Sequence, residues 1–439
     1  MSEPPSGLNQ SIKFLVWEGI FSGVLCGFVE VYAAAYCLLL GAGPAQIALL
    51  ASLPIFFGAL FQLKAPLLIE KLNSRKKIIR CAIWAHALLS FLMAFAFLAG
   101  NGWGVGVLIA SFCFYSITGQ IASIAWTSWV GDLVPANSRG QFFGRRTQWN
   151  HVAIFVATLA GGGFLHWMKD HFDKAALGFC ILYIAGGCFR LLCLPINARV
   201  FEPPPEFLQK ELIPGLGFFL RNIFRTNFGR FVLFAGLIQI ALYLANPFVA
   251  PYFLKELKIN YFIYSMLFAT LVVGKFAFYP FWGGIADKKG VQRILRISTV
   301  LFSLAPLFYL ASSNIFYLFW VQTYRAITWS GYEVTCFKFQ MDATTSQNRS
   351  YYTSYLNAIN GLLAVLGSIA GSFLVRPFFG PSVYHLPFLA ASVVMILGCA
   401  IFLPQIWEPQ SHESSLTTFK TAWPMAGAAV KPGESVPKT

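Results

Sequence analysis

The sequence predicts an all-α membrane protein of twelve transmembrane helices in two related six-helix halves, and three observations carry that prediction. Charged residues make up 11% of the 439-residue chain and hydrophobic residues 57%, whereas a soluble globular chain carries about a quarter charged residues. Apolar runs of about 20 residues, the length that crosses a hydrocarbon core of about 30 Å, recur along the whole chain. Loop sequences from the first half return in the second. Barrel strands would be half as long and would alternate in polarity, which excludes the β-barrel class.

The elements follow in order. Met1 to Ser11 is polar and runs into an apolar stretch reaching Leu40, too long for the core of a cleaved signal peptide, so residues 1–11 are an N-terminal segment and the first span follows. Spans are expected at 12–40, 44–69, 78–99, 103–130, 147–168 and 175–197, then at 229–253, 260–285, 291–311, 314–340, 350–374 and 383–404. These group as a first half, 12–197, and a second half, 229–404. The connector at 198–228 contains Pro203-Pro204-Pro205 and several basic residues. The tail at 405–439 is rich in Ser, Thr, Pro, Gly and Ala, lacks a spanning run and is expected to be disordered.

Net charge is +15, but its placement is one-sided, so no nucleic-acid partner is expected. Of 32 Lys and Arg, only Lys169, Lys174, Lys255, Lys258 and Arg376 fall in loops on one side, and Arg190, Lys275 and Arg325 within spans. Basic loops stay in the cytoplasm, which puts both termini there, in a bacterial inner membrane or a plasma membrane. Both sequons, at Asn9 and Asn348, fall on that inner side. The nine cysteines are scattered without a CxxC pair or zinc spacing, and are read as packing residues. No cofactor or metal is expected. The chain has no HExxH, GxSxG or Walker sequence, so neither an enzyme nor an ATP-driven pump is expected.

The loop joining spans 8 and 9 reads Gly283-Gly284-Ile285-Ala286-Asp287-Lys288-Lys289-Gly290-Val291-Gln292-Arg293. Glycines at the end of a span admit a close neighbouring helix, Gly290 permits a tight turn, and Asp287 can accept hydrogen bonds from a facing helix or base. The loop between spans 2 and 3 repeats this with Glu70 for Asp287 and Asn73 for Gly290, Asn being the next residue to favour a left-handed turn. Asp132 to Gly140 after span 4 matches Asp342 to Arg349 after span 10, with the acid-to-arginine spacing identical, and Asn150 and Asn360 continue the register. The two pairs recur at offsets of 217 and 210 residues, the mark of parallel repeats.

On these loops the chain resembles the major facilitator superfamily over roughly residues 12–404. The resemblance implies two halves rocking about a central site, with spans 1, 4, 7 and 10 lining it. It also implies a cytoplasmic latch, closed when the site faces outward, made by Glu70, Asp132, Arg139, Arg145, Arg146, Gly283, Asp287, Gly290, Arg293, Asp342 and Arg349. The first-half loop departs from the pattern, with Pro66 and Leu67 in place of glycines and Glu70 in place of aspartate.

An ionisable group at mid-bilayer costs about 2.5–3.5 kcal/mol on insertion scales and therefore faces a partner or a wet cavity. Glu30 in span 1, Lys275 in span 8, and Arg325 and Glu333 in span 10 are such groups. Glu30 follows Gly23 and Gly27 on one helical face and is the candidate for substrate or proton coupling. Arg325 can bind an anion bidentately, or pair permanently with Glu30 or Glu333. Arg190, Glu18, His86 and His151 are read as structural. Tyr36, Tyr115, Gln120, Asn150, Gln239, Tyr243, Asn246, Trp329, Asn357 and Asn360 add amides, phenols and an indole suited to a small polar solute.

The expectation is a monomeric secondary transporter of a small organic solute, coupled to protons, with an anionic metabolite favoured. Lys275 and Arg325 at mid-depth set against Glu30, with Glu333 about two turns nearer the cytoplasm, give that preference. A neutral sugar or nucleoside carrier in which Glu30 pairs with Arg325, and a non-transporting receptor, are the alternatives.

Overall fold

Helix formation follows from backbone chemistry: in an apolar solvent every N–H and C=O must be paired internally, and a helix does so within one segment. The computed structural model describes residues 6–100, 103–134, 139–172, 174–203, 216–344, 349–375 and 382–407, and these form helices and turns without strands. The expected disordered tail beyond 407 lies outside the described residues.

Twelve long helical units result. In the first half, α1 runs Ser6–Leu25 and continues through a π-helical turn, Cys26–Glu30, into Ala33–Leu39, while α2 runs Pro44–Phe61 and continues into Ala65–Leu72. They are followed by α3 (Arg75–Ala94), α4 (Trp103–Leu133), α5 (Arg139–Phe172) and α6 (Ala175–Leu191, then Cys193–Arg199). In the second half come α7 (Asn227–Pro251, then a π turn Tyr252–Glu256), α8 (Tyr261–Lys289), α9 (Val291–Ser303), α10 (Ile315–Asp342), α11 (Arg349–Leu374) and α12 (His385–Phe402). Eleven of these units are long and apolar enough to span a bilayer. The twelfth, α10, is long enough but carries Arg325, Glu333, Lys338 and Asp342.

Side-chain caps set several starts. Ser74, Thr226, Asn260 and Asn314 each accept a backbone N–H of the following first turn. The paired turns fall as expected: Asn73 adopts φ 45° and Gly290 φ 89°, the left-handed region that Asn and Gly favour. The helix α5 starts eight residues before the expected span, because polarity marks where the membrane ends and not where the helix does.

The halves meet through α2 against α11 and α5 against α8. At the end holding the α1–α2 and α7–α8 turns, one apolar core runs without a break from Leu25 to Ala391 and draws on both halves. There the Tyr264 hydroxyl donates to the Val31 carbonyl at 3.4 Å, and Lys255 Nζ donates to the Ala42 carbonyl at 3.1 Å. At the basic end, which holds the α2–α3 and α8–α9 turns, the cores are separate: Leu15 to Val200 in one half, and Phe219 to Ile406 with Trp282, Ala286 and Ile294 in the other. The bundle is therefore shut at one end and parted at the other.

Candidate functional site

The π turn in α1 shapes the first-half part of the site. Gly23 and Gly27 lie flush on α5, where a Cβ on Gly27 would stand 2.7 Å from the Ala157 methyl and 2.9 Å from the Ile154 carbonyl. An α-helix would carry Glu30 along this packed face, but the extra residue in a π turn rotates it away. Glu30 is exposed and reaches α4, where Tyr115 donates its hydroxyl to Oε1 at 2.7 Å. The Cys26 thiol donates to Oε2 at 3.4 Å. His86 stacks on the Tyr115 ring with centroids 4.0 Å apart, and its Nε2 lies 3.0 Å from the Tyr115 carbonyl.

The second half presents two charge clusters. Lys275 on α8 and Glu333 on α10 form an ion pair at 2.7 Å, and the Tyr279 hydroxyl also donates to Glu333. The Lys275 ammonium lies 5.6 Å from the Trp329 ring centroid, a cation–π contact. Arg325 has a different environment. It donates to Asn246 Oδ1 on α7, to the Tyr309 hydroxyl at 3.1 Å and to Gln322 Oε1 at 3.5 Å, all neutral acceptors. Tyr309 in turn donates to Gln322 at 2.7 Å, and Gln322 to the Leu267 carbonyl on α8 at 3.3 Å. A chain of hydrogen bonds thus anchors one guanidinium across α7, α8, α10 and the turn after α9.

Of the two readings left open for Arg325, permanent pairing is not seen: it engages neither Glu30 nor Glu333, because Glu333 is held by Lys275 and Glu30 by donors of its own half. The surplus of cations at mid-depth also disappears, since Lys275 and Glu333 balance each other. Tyr36 is fully buried in the shut end, its hydroxyl donating to the Ala94 carbonyl and accepting from the Phe97 N–H, so no substrate reaches it in this conformation. Asn150 donates to the Gly19 carbonyl at 2.8 Å and ties α5 to α1. Gln120 is exposed on α4, while Gln239 and Tyr243 on α7 and Asn357 and Asn360 on α11 are half-buried.

The latch residues are distributed within halves. Asp287 pairs with Lys338 of α10. Arg146 pairs with Glu18 at 2.6 Å and lies 4.1 Å from the Trp126 ring centroid, and Arg190 approaches Glu18 at 3.4 Å. Glu70, Arg145, Arg293 and Asp342 are exposed. The Asp132, Arg139 and Arg349 side chains lie outside the described residues. The expected close approach at Gly283 and Gly284 is absent here: a Cβ on Gly283 would stand 3.9 Å from Val334, and one on Gly284 would meet nothing within 4 Å. Sequence reading missed Tyr279, Tyr309 and Lys338, whose partners lie on other helices; only their polarity within or beside spans marked them.

Two halves packed through α2–α11 and α5–α8 around a polar centre define a two-half helical membrane bundle. Residues 231–431 match the family model described as the Major Facilitator Superfamily. Among solved structures, a bacterial homologue of the human lysosomal transporter Spinster in an inward-facing, unoccupied conformation aligns with a TM-score of 0.71 at 16% identity, covering 96% of this chain and 99% of that one. A D-xylose-proton symporter aligns at 0.68 and 13% identity, covering 92% and 98%. Among sequences, the class H tetracycline resistance protein of Pasteurella multocida is 29% identical over 163 residues, 36% of this chain. The quinolone resistance protein NorA of Staphylococcus aureus is 24% identical over 195 residues, 44% of this chain. The matches span 38% and 47% of those two relatives.

Proposed function

We propose that the chain is a monomeric secondary transporter that moves a small organic solute bearing an anionic group by alternating access, coupled to protons through Glu30. Arg325 carries the reading: a guanidinium fixed among neutral acceptors keeps its full charge for a visiting anion. Glu30 supports coupling, because its donors are a phenol and a thiol and it is exposed where a proton can come and go. With both termini cytoplasmic the bundle would face inward, and Asp287 and Arg146, each paired within its own half, suit an open latch. The bundle then comprises residues 12–197 and 229–404 joined by the connector at 198–228.

Uptake of labelled carboxylates into proteoliposomes under an imposed pH gradient tests this reading. The expected result is gradient-dependent accumulation, with Arg325→Gln raising KM several-fold at little change in kcat. Accumulation indifferent to the gradient removes the coupling, and counterflow without any exchange removes the carrier. A second reading, export of aromatic amphipathic compounds, draws on the likeness to the tetracycline and quinolone resistance proteins and on Trp329, Tyr279 and Tyr115 beside the charges.

A further inference from the structure

Two polar bridges occupy matching places in the two halves and carry opposite charges. In one, Tyr115 on α4 donates to Glu30 on α1; in the other, Arg325 on α10 donates to Asn246 on α7. The 210-residue offset that relates Asp132 to Asp342 also relates Tyr115 to Arg325. The 217-residue offset that relates Glu70 to Asp287 takes Glu30 to Pro247, the neighbour of Asn246. Each bridge therefore ties the first helix of its half to the fourth at an equivalent depth, with an acid in one half and a base in the other.

Neither charge joins an ion pair within its own half among the described residues. Among the described residues, the ion pairs join Glu18 with Arg146 and Arg190, His166 with Asp170, Lys275 with Glu333 and Asp287 with Lys338. Glu30 and Arg325 belong to none of them. Lys275 and Glu333 show the self-sufficient arrangement, a 2.7 Å contact that needs nothing from outside. Glu30 and Arg325 are instead each held within their own half by neutral groups, and opposite charges in a medium of reduced dielectric draw strongly on any complementary ion.

We infer that the solute is dipolar, with an ammonium-type cation seated at Glu30 and Tyr115 and a carboxylate or similar anion seated at Arg325 and Asn246. This rests on the carrier reading above and deepens it by naming the substrate class. A carboxylate accepts two N–H bonds from a guanidinium in one plane, and an ammonium donates to a carboxylate. A solute with both charges engages both halves at once. It satisfies the two fixed charges without adding net charge, so the halves swing around a neutral centre. A proton and the ammonium then compete for Glu30.

The test uses the purified full-length chain and matched probes: phenylalanine, leucine and tryptophan, each beside its deaminated acid and its decarboxylated amine. Thermal stabilisation reads binding and counterflow in proteoliposomes reads exchange. At least one dipolar probe should bind and exchange, with its singly charged analogues weaker by about tenfold or more. Arg325→Gln should weaken that dipolar probe about tenfold and bring the matched amine level with it, and Glu30→Gln should do the same for the matched acid. A merely structural role would lower all three probes together. Retained monomeric elution of both variants separates binding loss from misfolding, and if one fails to fold the other carries the test. An acid or amine that binds the unmodified chain as tightly as its dipolar parent overturns the inference, and so does the failure of all three sets. Exchange of a singly charged acid that depends on Arg325 overturns the dipolar class while leaving anion transport standing; binding without exchange overturns transport alone.

Discussion

The shut end and the basic end of the bundle are built from the same helices but held by different physics. At the shut end one apolar core crosses both halves, and contact is close: a Cβ on Gly162 of α5 would overlap Ser265 of α8. At the basic end each half closes on itself, through its own core and its own ion pairs. Dispersion and burial lock the shut end, and they fall off within a fraction of an ångström of separation. Charge governs the basic end, and a charged side chain can exchange one partner for another without repacking. On the proposed alternating-access reading, one end would separate as a surface and the other would switch partners.

The largest effect that sharpens this contrast is expected at Glu18, which binds Arg146 and Arg190 with a side chain only 6% exposed. Removing the carboxylate strands two guanidinium groups, and breaking a buried pair costs about 3–5 kcal/mol. Glu18→Gln should lower the thermal midpoint in detergent clearly, and an unchanged midpoint would show that the basic end of the first half does not depend on its charges. Next comes the shut end itself. Gly162→Val forces overpacking, about 1–3 kcal/mol, on a close contact between the halves there. A cysteine placed at Ser265 should then react about tenfold faster with a thiol reagent, following the 1.4 kcal/mol per decade relation. No change in rate would mean that this surface does not limit opening.

Much of this arrangement was legible in the sequence, because its signals are local. Apolar length fixed the spans to within a few residues in most cases, and the Asn73 and Gly290 turns followed from the positive φ that those residues tolerate. Glu18 and Arg190 were read as structural and are found paired. The site was less legible, for two reasons. The π turn at Cys26–Glu30 is one residue of excess winding with no sequence marker, yet it decides that Glu30 meets Tyr115 and not the α5 face. The partners of Arg325 come from α7, from the turn after α9 and from α10 itself, and charge complementarity pointed to carboxylates where the fold supplies Asn246 and Tyr309.

A smaller effect is expected where the connector leaves α6. Glu202 accepts the Arg75 and Lys76 N–H groups at 2.6 and 3.0 Å and the Ser74 hydroxyl at 2.9 Å, an acid seated on the N-terminus of α3. Glu202→Ala should cost about 0.5–2 kcal/mol, the range for a lost N-cap, and speed hydrogen exchange at the Arg75 and Lys76 amides. Unaltered exchange there would show that Ser74 alone caps the helix.

The smallest change in stability, and the most direct probe of partner switching, is expected at Lys338. Its pair with Asp287 is well exposed, 29% and 67% at the two side chains, and such pairs contribute about 0.2–1 kcal/mol. Lys338→Met should therefore leave the thermal midpoint almost unmoved. Its effect should fall on the balance between conformations. In the parted state Lys338 holds Asp287 to its own half, so deleting it removes a competitor for the acid and favours closure of the basic end, where Asp287 can turn to the other half. Cys26 lies beside Glu30 in the polar centre, so closure should slow its labelling by a thiol reagent applied from the basic side. Faster labelling would mean that Lys338 helps to close that end, and the assignment of Asp287 to a cross-half latch would have to be abandoned.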